Sequence, residues 1–508
     1  MPAPGHCDLL ITGATIIDGS GGPAYQADVA VGGGRILAIG ALAGMPAGER
    51  AEAGGLALSP GFIDAHAHDD LAVLQAELMW PKLSQGVTTV VVGNCGISAA
   101  PVTVHGALCE PLGLLGPAAE FAFPTFASYV AAVSAARPAV NVAALVGHTS
   151  LRANHLDRLD RPASAGEIAM MRAQLAEALA HGALGLSSGL AYGSARAAPE
   201  SEVAALAAGL GAADAVYTSH LRDEFDGILG AIDEALRTSR AAHAPLVISH
   251  LKCAGVANWG RVHGVLQALD AARGEQAVGC DCYPYTASSS LLDLGQVGAG
   301  IAIQVTWSTP HPEQGGRLLG DIAAAWGCDE RSAAARLQPA GAVYHNMCEE
   351  DVRAVLSHPA TAIGSDGLPR DPRPHPRLWG AFPRVLGRYC REERLFSLPE
   401  AVRRMTGLPA ARFGLAGRGL LAVGACADLV LFDPLTVADA ATYAAPQQPA
   451  TGIMATYVNG VLAAAGQQAT GRRAGRFLPR ARRPQGTDRP ANATSAAATP
   501  ASTATSAP

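Results

Sequence analysis

Imidazole, thiol and carboxylate groups can do chemistry when several of them reach one point, and six residues of this chain have that potential. His66 and His68 lie in SPGFIDAHAHDD, where an apolar stretch runs into a His-x-His pair. In a strand, residues two apart face the same way, so both rings can converge on one ion. Each of the other four also closes a short apolar run: TTVVVGNC ends at Cys95, AVYTSH at His220, PLVISH at His250 and TAIGSD at Asp366. Ligand-type side chains at the ends of different strands are what the C-terminal face of a (β/α)8 barrel supplies. Imidazole with thiolate suits zinc, which prefers N and S donors. The chain has 15 His, and a single histidine ending a strand more often belongs to core or surface. It is the combination, in barrel order and at helix-length intervals, that points to a metal-dependent enzyme.

The elements that must position these residues can be read from the same pattern. Barrel strands are expected near Gly61–His66, Val87–Gly93, Val142–Gly147, Ala183–Ser188, Ala215–His220, Leu246–His250, Val278–Tyr283 and Ala362–Asp366. Helical patterns such as ASAGEIAMMRAQLAEALAHG fill most of the intervals. The expected fold is therefore α/β, a TIM-type barrel over residues 59–414. The long gap before the last strand predicts an inserted lid subdomain at about 286–358, over the mouth of the site. Short strands with Gly-rich turns occupy 1–58, and a matching pattern returns over 415–480, so both chain ends are expected to build one small β-sandwich domain. Residues 481–508 are Ala/Ser/Thr/Pro-rich without apolar periodicity and are expected to be disordered.

Composition agrees with a large enzyme. The 508 residues leave room for a barrel of about 250 residues and a second domain. Hydrophobic residues make up 49% of the chain, enough for a substantial core, and the net charge of −6 is spread along it, so no nucleic-acid or membrane partner is expected. No apolar run reaches the roughly 18 residues of a membrane span, and the N-terminus lacks the pattern of a signal peptide. The ten Cys show no C-x-x-C pairing. A cytoplasmic location is expected.

The motifs SPGFIDAHAHDD, VVVGNCGIS, TSHLRDE, ISHLKCAG, CDCYPYTASSS, GSDGLPRD and HPRLWGAFPRVLG, with MTGLPAARFGL and GACADLVLFDP further on, closely resemble those of the N-acyl-D-amino-acid deacylases (D-aminoacylases) of the amidohydrolase superfamily. The likeness runs from about Asp8 to Arg480. It implies zinc-dependent hydrolysis of linear N-acyl-D-amino acids. It also implies that Cys95, His220 and His250 hold one tight zinc, with His66, His68 and Asp366 resembling the ligands of a second, weaker site. Hydantoinases and dihydroorotases instead bridge two metals with a carboxylated lysine at the end of barrel strand four. Here that strand reads GALGLSSGL and has no lysine, so Cys95 supplies the negative charge.

The same resemblance assigns the remaining roles. Asp366 corresponds to the residue that takes a proton from water and delivers it to the leaving nitrogen. Arg377 resembles the arginine that grips the substrate's α-carboxylate, which a guanidinium can take through both oxygens. Lys252, Tyr283 and Ser289 match further contacts to that carboxylate, and Asp69 and Asp70 are candidate acceptors behind the His-x-His rings. The stretch LLDLGQVGAGIAIQ contains no Arg or Lys, and Leu291, Leu292 and Val297 suggest a neutral pocket. The expected substrate is a small N-acyl derivative of a neutral, mostly hydrophobic D-amino acid. The alternatives are an N-acyl-D-glutamate or -aspartate deacylase, or a cyclic amidase of the dihydropyrimidinase type.

Overall fold

The computed structural model describes residues 6–104, 106–298 and 300–481. The Ala/Ser/Thr/Pro-rich run expected to be disordered falls outside the described residues.

Eight parallel strands form the centre: β1 (Phe62–Asp64), β2 (Val87–Val92), β3 (Asn141–Ala144), β4 (Gly185–Gly189), β5 (Val216–His220), β6 (Leu246–Ile248), β7 (Val278–Cys282) and β8 (Thr361–Ile363). β1, β2 and β3 pair in order, and β4 to β8 pair in order. β3 continues into Val146–Gly147, which pairs with β4 and joins the two sets. The circle closes where the Ala65 amide donates to Ile363 O at 3.2 Å and the Asp366 amide to His66 O at 2.8 Å. The result is a closed eight-stranded barrel.

The sequence explains why these runs are strands. VTTVVV in β2 is rich in β-branched residues and buried on both faces, as parallel strands covered by helices must be. Its residues alternate: Val91 packs with Ile63, Ala143, Val216, Val247 and Ala362, one from each of six strands, while Val90 and Val92 join the larger core beneath the helices. The helices begin at clear caps. Thr125 accepts from the Ser128 amide ahead of Phe126–Ala136, and Ser164 and Glu167 form a capping box ahead of Ala165–Ala180.

Both chain ends meet in one nine-stranded sheet. Ala57–Pro60 lies between Cys7–Ile16 and Leu429–Phe432 at its middle. Leu9, Ile11, Val29, Leu58, Leu429 and Tyr457, all on its strands, pack together in one apolar cluster. Between β7 and β8, Ser288–Leu291, Ile303–Ser308 and Ala340–Tyr344 form a separate antiparallel sheet, covered by helices Leu319–Trp326 and Glu330–Leu337. The insertion is shorter than the sequence suggested: helix Glu349–Ser357 packs on β7 and β8 and is the barrel's own connecting helix. Its amphipathic pattern looked no different from that of the lid helices before it.

The strand limits hold a second surprise. Of the six candidate ligands only His220 ends a strand; His66, His68, Cys95, His250 and Asp366 lie beyond strand ends, in the loops at the barrel mouth. His66 and His68 therefore converge through a bend that Ala67 bridges to Gly367 in the loop after β8, and not through regular strand alternation.

Candidate metal centre

Two ligand sets share one sulfur. Cys95, His220 and His250 place ligand atoms within 4.8 Å of one another, and so do His66, His68, Cys95 and Asp366. Cys95 Sγ lies 3.1 Å from His66 Nε2 and 3.3 Å from His250 Nε2, and His250 Nε2 lies 3.1 Å from His220 Nδ1. His68 Nε2 stands 3.1 Å from Asp366 Oδ1. All six residues are buried.

The backbone bends hard to achieve this. Cys95, His250 and Asp366 have φ of 55°, 35° and 48°, values that side chains other than glycine adopt reluctantly and that cluster at functional sites. Gly189, at the end of β4, lets the Cys95 loop lie against it. A Cβ there would meet Cys95 O at 2.0 Å.

Acceptors stand behind two of the rings. His66 Nδ1 faces Asp281, with oxygens at 3.2 and 3.3 Å, and His250 Nδ1 faces Glu224 Oε1 at 3.0 Å. A carboxylate behind an imidazole keeps its proton on the rear nitrogen and points the other lone pair forward. Asp69 and Asp70, the acceptors expected from sequence, do not serve the rings. Asp69 lies 3.1 Å from the Lys82 ammonium and Asp70 accepts from the Ala99 amide at 3.1 Å. His68 Nδ1 has no hydrogen-bond partner among the described residues.

The electrostatics follow from crowding these groups together out of water. Burial pushes the Cys95 thiol up, but His66 and His250 outweigh it and hold it well below the usual thiol range. Burial likewise opposes charge on Asp366, and Arg377, His66 and His68 overcome that, so the carboxyl lies well below its ordinary value. His250 is pressed down by burial and by Lys252, yet Cys95 and Glu224 raise it to about 9. A buried thiolate flanked by imidazoles and a carboxylate is a charge pattern that a divalent cation completes.

The residues expected at the substrate end are gathered on one side. Arg377, at the start of helix Arg377–Arg384, puts Nη1 2.8 Å from Asp366 Oδ2 and Nη2 3.1 Å from Ser289 O. Its guanidinium lies 4.5 Å from the centre of the Tyr283 ring. Arg377 Nε and Ser289 Oγ are buried without a hydrogen-bond partner among the described residues, as groups awaiting a ligand would be. Lys252 is committed differently, with Nζ 2.6 Å from Glu224 Oε1 and 2.9 Å from His250 Nδ1. Leu292 and Val297, read as pocket residues, pack into the lid's own core with Ile303 and Tyr344; Leu291 leans on the barrel core.

Three site residues escaped the sequence reading: Asp281, the acceptor behind His66, and with it Glu224 and Tyr192. Glu224 closes TSHLRDE, a charged turn that looks solvated. Tyr192, in LAYGS, is an ordinary aromatic after a strand, yet its ring centre is 4.9 Å from that of His220. Burial, with Cys95 and Asp366 nearby, keeps its phenol well above the usual value and therefore protonated. Only spacing from His220 and Gly189 could have hinted at Glu224 or Tyr192.

A barrel whose strand-end loops gather such ligands is the architecture of metal-dependent hydrolases, and comparison with known proteins gives the class. Residues 51–464 match the amidohydrolase family, and the chain belongs to it. N-acyl-D-aspartate deacylase from Alcaligenes xylosoxydans xylosoxydans is 48% identical, covering 94% of this chain and 96% of its own. D-aminoacylase from the same organism is also 48% identical, covering 93% and 98%. A solved D-aminoacylase superposes with a TM-score of 0.91 at 47% identity, over 93% of this chain and 100% of that one; its centre is binuclear, with one-metal activation and second-metal attenuation. The N-acyl-D-glutamate deacylase of Bordetella bronchiseptica, solved with zinc and a phosphonate mimic of the tetrahedral intermediate, superposes with a TM-score of 0.89 at 46% identity, covering 93% and 100%.

Proposed function

We propose that this protein hydrolyses the amide bond of N-acyl-D-amino acids, releasing a carboxylate and a free D-amino acid. The observation that carries the reading is the placing of Arg377 2.8 Å from Asp366, which in turn faces the Cys95-centred cluster. A cation for the substrate's carboxylate thus stands beside a base and a metal-binding donor set, as an N-acyl amino acid requires.

The donors fit zinc: one thiolate and two imidazoles in a buried triad, with a carboxylate behind His250. In this reading Cys95, His220 and His250 hold one tight ion, and His66, His68 and Asp366 a second, weaker one. Zinc supplies Lewis acidity toward a carbonyl oxygen and makes water easier to deprotonate. The chain's own residues do the rest. Asp366 accepts the proton from the attacking water and returns it to the departing nitrogen. Arg377 holds the α-carboxylate, aided by Lys252, Tyr283 and Ser289, and so fixes the distance from carboxylate to scissile bond. Tyr192, kept protonated, can donate a hydrogen bond to the oxygen on which charge develops.

We assign neutral, mostly hydrophobic D-amino acids as substrates. The N-acyl-D-aspartate deacylase, the D-aminoacylase and an N-acyl-D-glutamate deacylase of the same organism are each 48% identical to this chain, so identity does not choose among them. What supports a neutral side chain is the lack of Arg or Lys in residues 291–304, where the chain enters the lid. Leu292 and Val297 themselves pack in the lid's core, so the support is the missing cation, which an anionic side chain would need beyond Arg377. A cytoplasmic location suits ten cysteines that form no disulfide; no described helix is long and apolar enough to cross a membrane.

The test is release of free amine from N-acetyl-D-leucine, N-acetyl-L-leucine and N-acetyl-D-glutamate by zinc-loaded protein. Turnover of the D-leucine compound alone is expected. Preferred release from D-glutamate would overturn the neutral pocket, and no release from any of them would overturn the deacylase reading.

A further inference from the structure

Glu224 has no role in the reaction described above, yet it touches both halves of the site. It lies in the loop after β5, nine-tenths buried. Oε1 is 3.0 Å from His250 Nδ1 and 2.6 Å from Lys252 Nζ, and Oε2 is 3.9 Å from His220 Nε2. Its carbonyl accepts from the Ala254 amide at 2.8 Å, tying the β5 loop to the β6 loop that carries His250 and Lys252. One carboxylate therefore bridges a candidate metal ligand and a candidate substrate lysine.

The hydrogen bonds here are mutually exclusive. Lys252 Nζ is 2.9 Å from His250 Nδ1, and an ammonium has only hydrogens to offer. That contact is a hydrogen bond only to a ring with a lone pair on Nδ1, the tautomer whose hydrogen sits on Nε2. But Nε2 is the nitrogen that faces Cys95 Sγ at 3.3 Å. If Nε2 lends its lone pair to a metal, the ring hydrogen must sit on Nδ1, where Lys252 can no longer bond to it. Glu224 Oε1 is the acceptor within reach.

We infer that Glu224 is a positioning residue that fixes His250 with its hydrogen on Nδ1 when Nε2 ligates a metal, and that this arrangement keeps Lys252 off the ring and leaves it a hydrogen for the substrate's carboxylate. The inference rests on the proposed reading, in which His250 ligates zinc through Nε2 and Lys252 serves the carboxylate. Zinc affinity and carboxylate recognition are then coupled through a single side chain: each favours the arrangement in which Glu224 takes the His250 hydrogen and Lys252 turns outward.

The test compares full-length wild type, Glu224→Gln and Lys252→Met by chelator competition for zinc, with no substrate present. Glu224→Gln preserves shape and removes the anionic acceptor, so its zinc affinity is expected to fall about 10- to 100-fold. Lys252→Met removes the competing donor, so its zinc affinity is expected to stay equal or rise. In wild type, N-acetyl-D-leucine is expected to slow zinc release more than its carboxamide does, and in Lys252→Met this difference is expected to shrink. A Glu224→Gln protein that folds and keeps wild-type zinc affinity within twofold overturns the inference while leaving the deacylase reading standing. A tenfold loss in Lys252→Met overturns it independently, even if Glu224→Gln fails to fold. Wild type that binds no zinc tightly removes the reading itself, and the inference with it.

Discussion

Arg377 and Asp366 form an ion pair, Nη1 to Oδ2 at 2.8 Å, between two buried side chains. The group that grips the substrate and the group that moves its protons are thus held in one rigid relation. Arg377 has a further constraint on each side, the Tyr283 ring at 4.5 Å and Ser289 O at 3.1 Å. Lysine cannot reproduce a planar fork that meets three partners at once. Arg377→Lys is expected to lower kcat/KM for N-acetyl-D-leucine about 100-fold, equivalent to about 3 kcal/mol. Hydrolysis of an N-acyl amine without a carboxylate should be much less affected. Steady-state kinetics on the two substrates check this, and equal losses on both would remove Arg377 from carboxylate binding.

Metal retention and turnover should separate at this centre. Cys95 is the only sulfur in the two ligand sets and is shared by both. Its loss removes the anion that balances a divalent ion, and Cys95→Ala is expected to abolish both tight zinc and activity. Asp366 lies outside the Cys95–His220–His250 triad. Asp366→Asn is expected to keep one zinc per chain while kcat falls about 10²- to 10⁴-fold, the usual contribution of a proton-transfer group. Metal analysis of each dialysed variant beside its rate makes the comparison. Loss of tight zinc in Asp366→Asn would mean that the carboxylate holds the metal more than it moves protons.

The glycine at the end of β4 offers a test of how the Cys95 loop is set. In Gly189→Ala the new methyl would collide with Cys95 O and C, at 2.0 and 2.8 Å, and both are backbone atoms that cannot swing aside. The loop must move, taking Sγ away from His220 and His250. The expected result is weaker zinc binding together with a lower thermal midpoint. Gly193→Ala, where a methyl meets nothing within 4 Å, should leave both unchanged. Equal zinc affinity in the two variants would show that the centre tolerates displacement of Cys95.

Much of this architecture was legible in the chain because parallel strands announce themselves as apolar runs. TTVVV, AVYTS and PLVIS each fall on an observed strand, and the six chemical residues follow such runs. What was hidden depends on tertiary surroundings. Lys82, in WPKLSQ, reads as a surface lysine, but it is fully buried between Asp64 at 2.7 Å and Asp69 at 3.1 Å. Its third contact, Ser365 Oγ at 2.8 Å, lies beside Asp366, so it braces the loops of β1 and β8 together. Nothing local distinguishes Glu224 from a solvated acid, or predicts positive φ at Cys95, His250 and Asp366. Those features come from closing the barrel, which brings loops far apart in sequence onto one point.

A buried network remote from the reaction should set the acid limit of the fold. Glu202 accepts from the His148 ring at 3.0 Å and the Ala163 amide at 2.8 Å, and pairs closely with Arg152. Burial works against its charge, but these partners win and hold the carboxyl down at about 2. In an unfolded chain a glutamate titrates near 4.3. A carboxyl depressed by folding contributes stability above its unfolded value and loses it as pH falls toward its folded one. The Glu202 contribution is therefore complete at neutral pH and drains away between about 4.5 and 2. Glu202→Gln leaves Arg152 without its anion in the interior, which should cost about 3 kcal/mol or more at pH 7. Denaturant unfolding of zinc-saturated wild type and variant at pH 7, 5 and 4 should show a constant gap down to pH 5 that narrows below it. A gap that widens with acid would mean that Arg152, not Glu202, governs the network.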